Sequence, residues 1–496
     1  MLDCILSNWK SFRGKCVVLC LILHFIKLLK ATKWQSVLYK NVDFSLFIKY
    51  NTSMKNKEIL IQRPEYTKKL ESWLGQNDLV KIVTGVRRCG KSKLFTLFQN
   101  LLIKKYKVSK TQIININLED IMQAREIGLE YNKKNFLTDY NKLLDFVLSK
   151  LKEKQKYYVF IDEIQLLENW QIAANSLRLK ENVDLYLTGS NAYMFSGDLA
   201  NSFGGRHVEI KMLPFSFKEY CDAFIERDLQ EHPEKREFVP YCNLYEVYDR
   251  YIKESGFPQT IKFSDDNLIY NYLLDTVYLN TIQKDIISRY SIKDTNKLDA
   301  VIKYIFENIG NETSLDNIVK GLAASKNPIS APTLDIYIKG MIDSYLIYKC
   351  DRYDIKGKKY LNSNAKYYVV DAGLRAALLG SSDRDLGHIL ENIVYLELLR
   401  RGYRVSVGKV NSKVINNNGK KERKTIEVDF IAKKNNLTEY YQVALNALEP
   451  EILERELRPL EEIKDNYPKF LLTMDQGNGE NNGIKRLNVL SWLHSK

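Results

Sequence analysis

Histidine and cysteine are scarce in this chain. Its five His and seven Cys, among 496 residues, form no C-x-x-C pair and no spacing that would ring a metal ion. That argues against a zinc module or a disulfide-stapled scaffold. Three cysteines (Cys4, Cys16, Cys20) fall near the N-terminus, and Cys89, Cys221, Cys242 and Cys350 are spread through the rest. The expected setting is reducing and cytoplasmic, with structural thiols. Long apolar runs are also missing. The best candidate, residues 16–29, is interrupted by His24 and Lys27 and is too short for a membrane-crossing helix. Basic residues precede it, as in a signal peptide, but no A-x-A-like cleavage site follows. Membrane insertion is not expected. Ordinary domain sequence begins at Lys55, so Met54 is read as the natural start and residues 1–53 as a non-native extension.

What is present is globular. Apolar residues make up 45% and charged residues 27% of a chain long enough for three or four domains. The formal charge is +14, but residues 1–53 hold eight Lys and Arg against two Asp, so the remainder carries +8. That modest basicity suits nucleic-acid contact and simple solubility equally.

One stretch organises the rest. Gly85-Val86-Arg87-Arg88-Cys89-Gly90-Lys91-Ser92 matches the phosphate-loop pattern G-x-x-x-x-G-K-[ST] at every fixed position. Residues 79–84 before it read as a short buried strand. After it, Leu94, Phe95, Leu97, Phe98, Leu101 and Leu102 recur at helical spacing. The two glycines let successive N–H groups turn toward phosphate oxygens, and the helix N-terminus adds its positive dipole. Lys91 is then placed for the β- and γ-phosphates and the Ser92 hydroxyl for Mg²⁺, with Gly85 through Lys93 lining the nucleotide. Cys89, inside the loop, could make binding sensitive to alkylation. The cofactors implied are ATP and Mg²⁺.

Tyr157-Tyr-Val-Phe-Ile-Asp162-Glu163 is an apolar strand ending in two carboxylates. Behind a complete phosphate loop, Asp162 is expected to hold Mg²⁺ and Glu163 to polarise the attacking water. The strand at 183–189 ends in Ser190 and Asn191, candidates for a polar γ-phosphate sensor with Thr188 behind them. A plain Gly-Ser-Asn turn explains those residues equally well. Arg206, just before another strand, could reach a γ-phosphate in the same or a neighbouring subunit, or simply pair with a surface carboxylate. Arg87 and Arg88 either touch phosphate or face solvent.

The segments Thr84–Ser92, Phe160-Ile-Asp-Glu-Ile-Gln165, Leu187-Thr-Gly-Ser-Asn191 and Pro214-Phe-Ser-Phe-Lys-Glu-Tyr220 resemble the prokaryotic AAA+/STAND-type ATP-binding protein family. So do Tyr251–Pro258 and Lys284–Tyr290. The resemblance runs from about Met54 to the C-terminus. It implies an AAA+ ATPase followed by a further C-terminal domain, and leaves the task of the engine open.

The fold class expected is α/β: a P-loop NTPase parallel sheet over 54–220, a helical lid over 221–290, a winged-helix-like domain over 291–375 and a nuclease-like α/β domain over 376–496. In the third segment the helix 333–345 offers Asp335, Lys339 and Asp343, which suits DNA poorly. The hairpin behind it offers Lys349, Arg352, Lys356, Lys358 and Lys359. In the last segment Glu391, Asp429 and Gln442 resemble the acidic set of the restriction-endonuclease-like fold. Ala444 stands where that fold's lysine would be, so nuclease activity is not expected. Lys409, Lys413, Lys420, Lys421, Arg423 and Lys424 read as a basic hairpin loop. The function expected is an Mg²⁺-dependent ATPase that moves its C-terminal domains against a DNA or protein partner, with oligomerisation open. An ATP-regulated nuclease and a nucleotide-gated scaffold with little hydrolysis are the alternatives.

Overall fold

The computed structural model describes residues 60–133, 136–192, 203–231, 243–380, 385–415 and 421–495. The expected N-terminal extension and the tip of the basic hairpin, 416–420, lie outside them. Five parallel strands form the first sheet in the order β2-β3-β4-β1-β5. They are β1 (Val80–Thr84), β2 (Ile113–Asn117), β3 (Tyr157–Asp162), β4 (Val183–Gly189) and β5 (His207–Lys211). β1, β3 and β4 are buried along their whole length, as unbroken apolar runs covered on both faces should be. One face packs Val80, Ile82, Val159, Ile161, Leu185 and Leu187. The other carries Val83, Phe95, Phe98, Phe160 and Tyr186. There Phe160 stacks on Tyr186 at 4.7 Å and meets Phe95 edge-on at 5.0 Å.

Because the strands are parallel, all end on one edge of the sheet, and β1, β3 and β4 are neighbours there. Ligand crevices form outside such carboxyl ends. The phosphate loop, Asp162-Glu163 and Ser190-Asn191 leave the sheet side by side.

The chain then runs through helices Phe217–Glu231 and Leu244–Glu254 to a helix over 266–290, called the lid helix below. Two of its segments, Tyr272–Tyr278 and Thr281–Ile287, carry the wider i→i+5 bonding. Helices Thr295–Glu307, Leu315–Ala324 and Ala331–Asp343 follow. Each begins where a side chain caps it: Asp294 accepts from Lys297 N, Ser314 from Asn317 N and Ser330 from Thr333 N.

The hairpin β6 (Ile347–Asp354) and β7 (Lys359–Val369) does not stand alone. It forms the edge of an eight-stranded mixed sheet of order β12-β13-β11-β10-β9-β8-β6-β7. The partners are β8 (Arg404–Ile415), β9 (Lys421–Lys434), β10 (Leu437–Ala444), β11 (Lys469–Thr473), β12 (Gly479–Asn481) and β13 (Ile484–Asn488). The junction is the parallel pairing of β6 with β8, Arg352 opposite Val407. Helix Leu386–Arg400 packs across this sheet, burying Leu390, Val394 and Leu398.

One apolar cluster runs from Tyr66 and Phe160 through Phe215, Tyr251, Phe306 and Tyr345 to Tyr395 and Trp492. The Leu213-Pro-Phe segment sits at its centre. Arg63 Nη2 donates to Leu213 O at 2.9 Å, Arg400 Nη2 to Pro214 O and Phe215 O at 3.2 Å each, and the Tyr251 hydroxyl to Phe215 O at 2.9 Å. Among the described residues no helix is long and apolar enough to cross a membrane.

Candidate nucleotide site

The phosphate loop takes the shape its glycines allow. Gly85 has φ 147° and Gly90 φ 103°, both outside the comfortable range of a side-chain-bearing residue. A Cβ on Gly85 would lie 2.1 Å from the Met212 carbonyl oxygen, so this close approach needs glycine. Gly90 starts the helix Lys91–Tyr106, whose first turn holds no acidic residue. Its N–H groups and dipole are thus left for an external anion. The Lys91 ammonium donates to Gly85 O at 3.1 Å and Val86 O at 3.2 Å, and lies 3.6 Å from Glu163 Oε1. Ser92 and Lys93 are exposed beside it.

The acidic pair has divided surroundings. The Ser92 hydroxyl hydrogen-bonds Asp162, and so does Thr188 Oγ1, which also accepts from Glu163 N at 2.9 Å. Burial, then the adjacent Glu163, pushes the Asp162 carboxyl up, with those two hydroxyls opposing. Glu163 shifts the other way. Burial would raise it, but Lys91, Arg87 and Gln165 hold its carboxyl below the ordinary range. Its backbone is left-handed at φ 53°, a strain of order 1 kcal/mol at a strand end. Ser92 and Asp162 thus present a hydroxyl and a buried carboxyl side by side, oxygen donors of the kind that fit Mg²⁺ on a triphosphate.

Ser190 and Asn191 are fully buried at the end of β4. The Ser190 hydroxyl donates to Asp285 Oδ1 at 3.3 Å, and Asn191 Nδ2 to Asp285 O at 3.4 Å. Asp285, on the lid helix, is gripped by Arg87: Nε to Oδ2 at 2.6 Å and Nη2 to Oδ1 at 3.1 Å. Arg87 also reaches Glu119 Oε1 at 3.2 Å, whereas Arg88 is exposed. A second residue that sequence reasoning missed is Arg63. Almost fully buried, it donates to Cys89 O at 3.2 Å and pairs with Glu219 at 2.6 Å, bracing the loop from below. Arg63 lies in no motif, and Asp285 falls within the Lys284–Tyr290 segment without a role being legible there; each is distant in sequence from its partners.

One expectation is narrowed and another corrected. Arg206 is exposed at the start of β5, where its carbonyl accepts from Val80 N. β5 runs parallel to β1, so Arg206 sits at the opposite edge of the sheet from the phosphate loop, about 15 Å away along the strands. Within one chain it does not reach the site. Cys89 is fully buried, and burial pushes its thiol up. A protonated thiol turned into the core is a poor target for alkylation. Elsewhere, a cavity of about 490 Å³ is lined by Arg250, Lys253, Asp266, Tyr270 and Ala376, and no phosphate-loop residue borders it.

In the eight-stranded sheet, Glu391, Asp429 and Gln442 do converge. Lys366 of β7 lies among them, its Nζ 2.8 Å from Glu391 Oε1 and 2.7 Å from Glu427 Oε1. The Tyr368 hydroxyl also donates to Glu391, at 2.6 Å. Asp429 Oδ2 accepts from Val443 N at 2.8 Å, and Gln442 Oε1 accepts from Asp429 N at 3.3 Å. Burial, then Glu391, pushes the Asp429 carboxyl well up. Burial works against the Lys366 charge, but Glu391, Asp429 and Glu427 outweigh it and raise the ammonium. Among the described residues no group of three or more His, Cys, Asp or Glu is arranged to hold a metal ion.

Fold and site together define an AAA-type P-loop NTPase domain, the architecture of nucleotide-binding proteins. Residues 77–221 match the AAA domain family, and residues 245–385 match a domain of unknown function. The chain is 35% identical over 438 residues to an uncharacterized protein of Haemophilus influenzae, covering 88% of this chain and 98% of that one, and it belongs to that protein's family. An uncharacterized protein of Methanocaldococcus jannaschii is 30% identical, with 81% and 82% covered. Among solved structures it is similar to a Walker-type ATPase of Pyrococcus abyssi, 17% identical with a TM-score of 0.43, over 65% of this chain and 97% of that chain. A second is the Aeropyrum pernix ORC1 protein in complex with DNA, 13% identical with a TM-score of 0.32, over 67% and 95%.

Proposed function

We propose that this protein binds ATP with Mg²⁺ and hydrolyses it, passing the nucleotide state to its lid and C-terminal sheet. The observation that carries this reading is the meeting of Lys91, Ser92, Asp162 and Glu163 at one edge of the parallel sheet, with Thr188 tying Asp162 to the Glu163 backbone. The loop amides and Lys91 bind and orient the phosphates, and Ser92 with Asp162 holds the metal. Mg²⁺ supplies charge neutralisation on the phosphate oxygens. Glu163, kept ionised by Lys91 and Arg87, accepts a hydrogen bond from the attacking water and aligns it. Gln165 holds Glu163 Oε2 and Ser190 Oγ together, so the water-orienting group and the sensor are linked.

The test is Mg²⁺-dependent phosphate release by the full chain, beside Lys91→Ala and Glu163→Gln. Turnover is expected to fall at least about 100-fold in both, with ATP still bound by Glu163→Gln. ATP binding without turnover in the wild type would leave only the nucleotide-gated scaffold.

An ATP-regulated nuclease is a second reading, and Lys366 is the observation that favours it. The amine absent at Ala444 is present on a different strand, beside Glu391 and Asp429. Against it, the Lys366 ammonium is already paired with two carboxylates where a cation would sit. Mg²⁺- or Mn²⁺-dependent nicking of plasmid DNA, abolished by Lys366→Met, would establish it. The partner, DNA or protein, is proposed to meet the face that includes Lys358 and Lys359 on the β6–β7 hairpin.

A further inference from the structure

Two cations of the phosphate loop are each held by a carboxylate of the chain itself. Lys91 has Glu163, from the end of β3. Arg87 has Asp285, from the lid helix. The first pair joins two residues of the catalytic edge. The second ties the phosphate loop to an element 198 residues further along the chain.

Asp285 is not a surface acid caught by a passing arginine. It is 2% exposed, its two oxygens meet Arg87 through separate nitrogens, and Oδ1 also accepts from Ser190. It therefore touches at once a phosphate-loop residue and the residue placed to sense the terminal phosphate. It sits in the second segment of i→i+5 bonding in its helix. Such widened turns are rare and are frequently found at functional sites.

We propose that Asp285 competes with the terminal phosphate of a bound nucleoside triphosphate for the Arg87 guanidinium, so that ATP, and not ADP, loosens the lid helix from the phosphate loop. This deepens the ATP-binding reading and rests on it. An arginine fork satisfies one bidentate anion well, carboxylate or phosphate, and the phosphate carries the greater charge. A diphosphate lacks the group that would reach past Lys91 to Arg87 and leaves the Asp285 pair in place. The Asp285 carboxylate itself repels the incoming γ-phosphate at a buried site, where screening is weak. Once Arg87 is taken, a buried carboxylate without its cation is unfavourable, and moving the lid helix relieves that cost. Nucleotide identity is thereby converted into helix position.

The test uses the full chain, Mg²⁺-AMPPNP and Mg²⁺-ADP, with affinities from displacement of a fluorescent nucleotide. Asp285→Asn keeps the shape and removes the charge. It is expected to tighten AMPPNP about 10-fold while ADP changes less than about 2-fold. In the wild type, amide exchange over residues 272–290 is expected to be faster with AMPPNP than with ADP. This second measurement stands even if the variant folds poorly. Unchanged selectivity in Asp285→Asn, or equal exchange with the two nucleotides, overturns the inference alone. A wild-type chain that binds neither nucleotide overturns the ATP-binding reading and the inference with it.

Discussion

A single carboxyl in the C-terminal sheet shows how far burial overrides residue type. Asp429 and Glu391 share a buried site with Lys366, and the two acids move in opposite directions. Burial raises Glu391 as well, but Lys366, His388 and Tyr368 more than offset it and hold it below the ordinary value. Asp429, with Glu391 beside it, is driven well above. Two carboxyls this close do not both ionise freely. A carboxyl raised in the folded state costs stability once pH climbs above its unfolded value, and the full cost is reached above its folded value. Asp429→Asn is therefore expected to raise the melting temperature at about pH 9 relative to wild type. At about pH 4 it is expected to change little. Scanning calorimetry at the two pH values checks it. Equal shifts at both would mean that Asp429 is not the titrating group.

Elements start and stop here largely for local reasons. Ser216 and Glu219 open helix Phe217–Glu231 reciprocally: Ser216 Oγ accepts from Glu219 N at 3.1 Å, and Glu219 Oε2 from Ser216 N at 2.9 Å. That is a capping box, visible in the sequence as Ser-x-x-Glu. The same Glu219 carboxylate pairs with Arg63, so this cap also fixes the brace beneath the phosphate loop. Ser216→Ala is expected to cost about 1 kcal/mol, read as a lower urea midpoint at unchanged slope. A larger loss, of about 3 kcal/mol, would show that the Arg63 brace fails with the cap. The hairpin β6–β7 shows the opposite case. Its alternation marks two strands and hints at a wing, yet its pairing with β8 is settled more than fifty residues away. No local pattern carries that information.

For the whole molecule, the Leu213-Pro-Phe-Ser-Phe segment is the joint between the nucleotide-binding and C-terminal parts. Its carbonyls face inward and are met by Arg63 from one side and Arg400 from the other. Both guanidinium groups are nearly inaccessible to water. Arg400→Met keeps most of the volume but leaves two buried carbonyls and Glu397 with fewer donors. The expected loss is about 2–4 kcal/mol in equilibrium unfolding. Stability within about 0.5 kcal/mol of wild type would mean that water or a shifted neighbour replaces those bonds.

By itself the sequence determined the phosphate-loop fold. Gly85, Gly90, Lys91, Ser92, Asp162 and Glu163 could be read because phosphate binding needs fixed residue types at fixed short spacing, and an all-buried parallel strand needs an unbroken apolar run. Those demands are local, so they are written locally. Only the tertiary structure decided that Arg206 lies at the far edge of the sheet, that Cys89 faces the core, and that Lys366 joins Glu391 and Asp429. It alone brought Asp285 onto Arg87. Each of those facts is a contact between segments dozens to hundreds of residues apart. It arises because the chain closes over one continuous core, and a charge buried there must find its partner wherever the packing has placed it.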